Sequence, residues 1–254
     1  MNEQPEPPAD RPVPPPPPPD LIAGAPLVGG GPLRRVSGLA TAIRFLIPAT
    51  ALLGVVFAAM TSASADEARA FLDGALTEEA FIEAYGPGLT LQLAQTLTQL
   101  AAGVTTILWM QRLAANTVAI GRPGTWRPGW AIGGWFVPPF ILYVIPFLML
   151  RELWRASTDE PGGDWRRAPV SSLVTAWFVL FGLAPLAFVA IQGVNGLNGL
   201  GTGAEAVARQ IVDDGGILWG SSLLALAAAV VFVRLSGELT ARHRRLVART
   251  GAEV

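Results

Sequence analysis

Apolar residues fall along this chain in five long runs, set apart by short charged stretches or by proline- and glycine-rich ones. Four of the runs, at 39–60, 89–110, 170–191 and 217–233, are each read as one helix. At ~1.5 Å per residue, about 20 residues cover a hydrocarbon layer of ~30 Å, so the first three have the length to cross and the fourth is near the lower limit. The fifth run, 130–150, is long enough too, but Pro138, Pro139 and Pro146 interrupt it. The adjacent prolines remove two amide donors and disfavour helical geometry just before them. Two half-helices joined near Pro138 are therefore expected. The pattern predicts an all-α polytopic membrane bundle: four crossing helices plus a Pro-broken re-entrant or interfacial helical hairpin.

Inside the second run, Gln92, Gln95, Thr96, Gln99, Gly103 and Thr106 recur at helical spacing and share one face. Amides avoid lipid tails, so this stripe is expected to face other helices. It would serve either interhelical hydrogen bonds and close packing or the polar wall of a solute path; the lack of ionisable groups on it favours packing. In the third run Pro185 predicts a kink.

The segments between the runs carry local signals. After the first run, Ser62-Ala63-Ser64-Ala65 has the small residues of a processing site, but the run is too long and too far from the start, so a retained helix is expected. Ser64 with Glu67 forms a capping-box pattern, Gly74 can stop that short helix, and Thr77 can cap the next. Gly86-Pro87-Gly88 is read as its end, giving an acidic extracytoplasmic helical hairpin. Gly121 and Pro123-Gly124 close the second run. The glycine/asparagine-rich loop at 193–203 lacks the Gly-Lys-Ser/Thr ending of a phosphate loop. Asp213, Asp214, Gly215 and Gly216 read as a turn. The last run should continue as an amphipathic helix through Arg234 to Arg249, with Leu235, Leu239 and Leu246 on its less polar side.

Residues 1–35 differ in kind. Twelve of the 22 prolines lie in 1–32, so this stretch has no means to form a core and reads as a disordered, cytoplasmic, polyproline-prone tail. It is either a docking arm for a partner with an aromatic groove or a solvated tail. The membrane domain then occupies 36–249, with a short C-terminal tail at 250–254.

Composition sharpens this picture. Hydrophobic residues make up 51% of the chain and charged ones only 15%, against about 25% in soluble domains, which supports a membrane protein. Its richness in Ala, Gly, Pro and Arg fits a GC-rich bacterial genome. With no cysteine, disulfides and thiolate chemistry are excluded. The single histidine, His243, sits in a basic tail, which excludes a multi-histidine metal site. No cofactor, catalytic constellation or nucleic-acid signature is found.

All basic residues are arginine, and their placement sets the orientation. A full crossing by 130–150 divides them into eight inside and ten outside, with no bias. If 130–150 enters and leaves on one side, sixteen are cytoplasmic and only Arg69 and Arg209 lie outside. The plasma membrane, with both termini cytoplasmic, is therefore the expected location. Six of the eight tryptophans lie in or beside the same cytoplasmic region, as interfacial anchors would.

Trp109, Arg112 and Asn116, then Pro128-Gly129-Trp130-Ala131, Trp135-Phe136-Val137-Pro138 and Arg151-Glu152-Leu153-Trp154-Arg155-Ala156-Ser157 resemble a bacterial membrane family catalogued as domain of unknown function 4328. The likeness covers roughly 36–245, and its specific part is Trp109–Ser157. It implies an integral membrane location, with Pro-rich N-terminal tails common among actinobacterial members, and no established activity. This chain departs from the family pattern around Ile141 and Phe147-Leu148, where polar residues are usual.

Three functions are open to such a chain. Catalysis lacks a base or paired carboxylates; Glu152 stands alone, and a helical pair with Arg155 is the plain reading for it. A small-solute transporter or channel component would use the Pro-broken hairpin with Gln92, Gln95 and Gln99. The favoured reading is a non-catalytic, partner-binding scaffold or regulatory membrane protein. Its Pro-rich tail would bind protein and its arginines anionic lipid. Its oligomeric state is left open.

Overall fold

The computed structural model describes residues 32–136, 143–158, 164–185 and 203–249. Among these the chain is entirely helical, in the order α1 (Ser37–Ala63), α2 (Ala65–Leu72), α3 (Glu78–Ala119), α4 (Trp130–Gly133), α5 (Val144–Ala156), a 3-10 turn (Trp165–Arg167), α6 (Ser172–Trp177) and α7 (Ala204–Arg249). A π-helical turn, Phe178–Leu183, continues α6.

Three long helices form the frame, with α1 packed along both α3 and α7. The buried face of α1 is mostly small: Ala40, Ala51, Gly54, Ala58 and Thr61, with Ile43. Small residues let helix backbones approach closely. At Gly54 an added Cβ would lie 2.9 Å from Gln95 Nε2, and the Gly54 carbonyl accepts a 3.1 Å hydrogen bond from Ser222 Oγ. The opposite faces are apolar and uncovered: Phe45, Leu52 and Val56 on α1, Leu93, Leu97, Leu100 and Val104 on α3, Leu223 and Val230 on α7.

Each end of this frame has its own core. At one end Ile43, Trp109, Met110, Leu113, Leu150, Trp177, Phe232 and Leu235 pack together. At the other, Ala68 of α2 and Phe81 and Tyr85 of α3 meet Ala208 and Ile211 of α7, with Phe71 stacked on Phe81 at 5.0 Å.

Several local expectations hold. Thr77 caps α3 by accepting from the Ala80 N–H, Gly74 follows α2 at φ 73°, and Gly121 follows α3 at φ 77°. A positive φ is open to glycine at little cost, which is why the helices stop there. Leu235, Leu239 and Leu246 are buried.

Other expectations are corrected. Two helices, not four, are long and apolar enough to cross a membrane among the described residues: α1 and α7. The expected span 89–110 lies within α3, where Gln92, Gln95, Gln99 and several threonines dilute the apolar run. The span 170–191 is described only to Pro185, so the kink expected there falls at the edge of the described residues; Ser172–Leu183 is a shorter apolar helix that ends in the π-helical turn. Helix α3 does not stop at Gly86-Pro87-Gly88, since Pro87 lies inside it. A proline there costs one hydrogen bond, and Phe81 and Tyr85, packed one turn or two earlier, hold the segment helical. Likewise Asp213–Gly216 is no turn: α7 runs through it, held before that point by buried Ala208 and Ile211. The Ser64–Glu67 capping box does not form, because Ser64 Oγ donates back to the Met60 carbonyl.

The fifth run contains α4, of four residues, and α5, of thirteen. Their junction, with Pro138 and Pro139, lies outside the described residues, as do most of the Pro-rich tail and the 193–202 loop.

Candidate functional site

The residues that carry the family likeness converge at the larger core. Trp109, Arg112 and Asn116 lie one helical turn or so apart on the C-terminal half of α3, so they present toward the same neighbours. The Trp109 ring is fully buried against Phe232, edge to face at 6.2 Å. Its Nε1–H donates to Thr240 Oγ1 at 3.0 Å, so the one polar atom of the indole is satisfied inside the core. Arg112 donates to the Arg35 carbonyl at 2.8 Å.

Asn116 is the hub. Its Oδ1 accepts from the Arg34 N–H at 2.8 Å and its Nδ2 donates to the Arg34 carbonyl at 2.9 Å. This two-pronged contact holds the chain segment before α1 against α3 and also fixes which way the amide faces. The second Nδ2 hydrogen points at His243 Nε2, 3.1 Å away. A donor faces that nitrogen, so Nε2 is the acceptor and the imidazole proton sits on Nδ1. Nδ1 faces Ser157 Oγ at 3.5 Å, a long contact. His243 and Asn116 are each 1% exposed, and burial pulls the imidazole down to about 4, favouring its neutral form. His243 lies beyond the apolar stretch 217–233 of α7.

Serine, histidine and asparagine in line resemble a nucleophile, a base and an orienting residue, yet the polarity is reversed. A nucleophilic serine needs an unprotonated nitrogen to take its proton. Here the nitrogen nearest Ser157 carries the proton, and the free lone pair is held by Asn116. Ser157 is also 1% exposed, so no substrate reaches it.

Glu152 does not pair with Arg155. Its two oxygens accept from the backbone N–H groups of Thr125 and Trp126 at 3.1 and 3.2 Å. At Gly124 an added Cβ would lie 2.5 Å from Glu152 Oε2, so glycine is what lets the loop approach the carboxylate. Beside it, Arg122 donates to the Ala156 and Thr158 carbonyls and so caps the end of α5. A shallow hollow here is lined by Ala114, Thr117, Trp126, Met149 and Leu153, with Glu152 its one charged group.

Trp154 is buried, with the Arg242 guanidinium 4.8 Å above its ring. Trp109 and Trp154 are thus core residues and not interfacial anchors. Trp135 packs edge-on to Trp177 at 6.5 Å. Trp130 is 43% exposed and follows the Pro128-Gly129 turn. Pro138 lies outside the described residues.

Within the single chain the polar stripe divides. Gln95 is half-buried against Gly54, but Gln92 and Gln99 are exposed on the outer face of α3. The side of α3 that meets α1 passes through Gln95 and Ala102 and leaves the other two amides outside. The residues missed in the sequence are Arg34, Thr240 and His243, which lie 82 to 131 positions from their α3 partners. An isolated histidine among arginines looked like tail; the buried leucines flanking it, Leu239 and Leu246, were the available signal.

The fold and site define a helical bundle with two membrane-length helices, closed at one end by a buried amide–imidazole node. The chain belongs to the family described as domain of unknown function (DUF4328), whose model matches residues 73–241. That match includes Trp109, Asn116 and Glu152, while Arg34 and His243 lie outside it. No curated protein and no solved structure matches the chain.

Proposed function

We propose that this chain is an integral membrane protein whose arginine- and tryptophan-bearing end faces the cytoplasm and binds partners without catalysing a reaction. The observation that carries the membrane reading is the lack of cover on its apolar helices. Only 22% of the most apolar stretch of α1, and the same share of α7, is buried within the chain. A core helix of a soluble protein would be mostly covered, and an exposed belt of Phe45, Leu52, Leu97, Leu100 and Leu223 favours lipid.

Topology follows from the same frame. Trp177 lies against Phe232, while Ala204 begins α7 near the opposite core, so these two points stand about 40 Å apart along the bundle. In this reading α1, α3 and α7, which run side by side along the bundle, are the crossing helices. Helix α5 covers only about 20 Å, too short to cross. Exposed Trp130, Ile132, Phe136 and Val144 support an interfacial hairpin at 130–150.

The non-catalytic reading draws on the node. Asn116 has every amide hydrogen and its carbonyl engaged, Glu152 is held by backbone, and Ser157 faces a protonated nitrogen. Binding is assigned instead to the arginine-rich surface, suited to anionic headgroups, and to the Pro-rich sequence of residues 1–31. The test is crosslinking in native membranes of the full chain and of a variant lacking residues 1–31. One specific partner lost with the arm supports the reading. Solute flux through proteoliposomes of the pure protein, abolished by Gln95→Leu without unfolding, would replace it with transport.

A further inference from the structure

We propose that a second copy of this chain covers the outer face of α3, through a seam formed by Gln92, Thr96, Gln99 and Gly103. The inference rests on the membrane reading above.

These four residues are all exposed, and their spacing of four, three and four is that of a coiled-coil seam. The seam lies midway along a helix whose neighbouring outer residues are Leu93, Leu97, Leu100 and Val104, at 56–62% exposure. Within that belt, among the described residues, neither the Gln92 nor the Gln99 side chain has a hydrogen-bond partner. An amide left unpaired in hydrocarbon is costly, far more so than at a water-facing surface. Thr96 differs, since its hydroxyl already donates to the Gln92 carbonyl at 2.9 Å. Gly103 has open space where a Cβ would stand, which leaves room for another backbone to come close.

The membrane itself selects the partner. Two copies inserted in the same sense bring their α3 helices together in parallel. In a parallel pair each seam position meets its own counterpart. Glutamine carries both donor and acceptor, so Gln92 can bond Gln92 of a second copy, and Gln99 its counterpart. A charged residue at either position would repel itself. The seam is thus self-complementary in hydrogen bonding, and Leu93 and Leu100 flank it with apolar contact.

The absence of cysteine makes the test clean. Single cysteines are placed in turn at every position from 89 to 104 of the full chain, and native membranes are oxidised. Carbonate washing first shows whether the chain stays in the membrane; release there defeats the membrane reading and not the seam. For retained protein, disulfide-linked dimer should peak at 92, 96, 99 and 103 and fall at 94, 97 and 101. Flat or absent crosslinking across this set overturns the proposal. So does pairing of these positions with cysteines introduced at 186–202 of the same chain. As a second measurement, Gln92→Leu with Gln99→Leu should weaken self-association in detergent about tenfold while leaving the monomer folded. Unchanged association with a more stable monomer would mean the amides face lipid.

Discussion

The two ends of the bundle are built from the same three helices but differ in what holds them. At the arginine-bearing end, among the described residues, Val36 and seventeen buried apolar residues from α1, α3, α4, α5, α6 and α7 pack beside the Asn116 node. At the acidic end, among the described residues, five buried residues from α2, α3 and α7 form a small stack whose one side-chain polar group, the Tyr85 hydroxyl, meets Thr61 of α1. The second end rests mainly on apolar packing, with isolated hydrogen bonds such as Trp219 Nε1–H to Ser62 Oγ at 2.8 Å. The first combines packing with hydrogen bonds that permit one register only. Where a chain needs a unique arrangement of several segments, polar groups that must find particular partners supply it.

Substitutions should separate the ends. The largest effect is expected for Trp109→Ala, which removes a fully buried indole and should cost about 3–5 kcal/mol. Its apparent Tm in detergent should drop sharply. Phe81→Ala at the other end should release α2 and the start of α7 to proteolysis while the main transition stays. If the two variants melt alike, the ends are one cooperative unit.

Asn116→Ala comes next. It strands the Arg34 N–H and carbonyl and the His243 acceptor, for about 2–4 kcal/mol. Trypsin cleavage after Arg34 and Arg35 should quicken in native membranes, because only the Arg112 and Gln111 contacts then hold that segment to α3.

Acid should act on the Asn116 node through His243. The folded imidazole titrates at about 4, below its ordinary 6.5, so the unfolded chain binds the proton more readily. Stability is then full above about pH 6.5 and falls as pH drops toward 4, on the order of 1 kcal/mol per pH unit. Below that range the loss levels off. His243→Leu should flatten this slope in a denaturation series from pH 7 to 4. The smallest effect is expected for Arg69→Ala, whose partner Asp66 is almost wholly exposed. A shift within about 0.5 kcal/mol is anticipated by the same denaturation.

Signals read within a turn or two of the chain were legible in sequence: the Thr77 cap, the glycine stops at 74 and 121, and the leucine face of the last helix. Gly86-Pro87-Gly88 and Asp213–Gly216 misled because packing of Phe81, Tyr85, Ala208 and Ile211 outweighs local breaking tendencies. The crossing count misled because apolar length was weighed without the glutamines and threonines that dilute it. At the site, Trp109 and Asn116 were visible as members of a motif. Their partners were not, since a hydrogen bond across 127 positions, as from Asn116 to His243, leaves no period in the sequence.

One geometric fact about α7 has a mechanical outcome. Ala208 and Ile211 of the acidic core and Leu239 and His243 of the arginine-bearing core ride on a single uninterrupted helix. A residue-sized slip would swing every side chain on that shaft by about 100°. It would unseat both cores together. The expected consequence is a shared angle: a rotation imposed on one extremity of this shaft would reappear at the other, as far as the helix stays rigid.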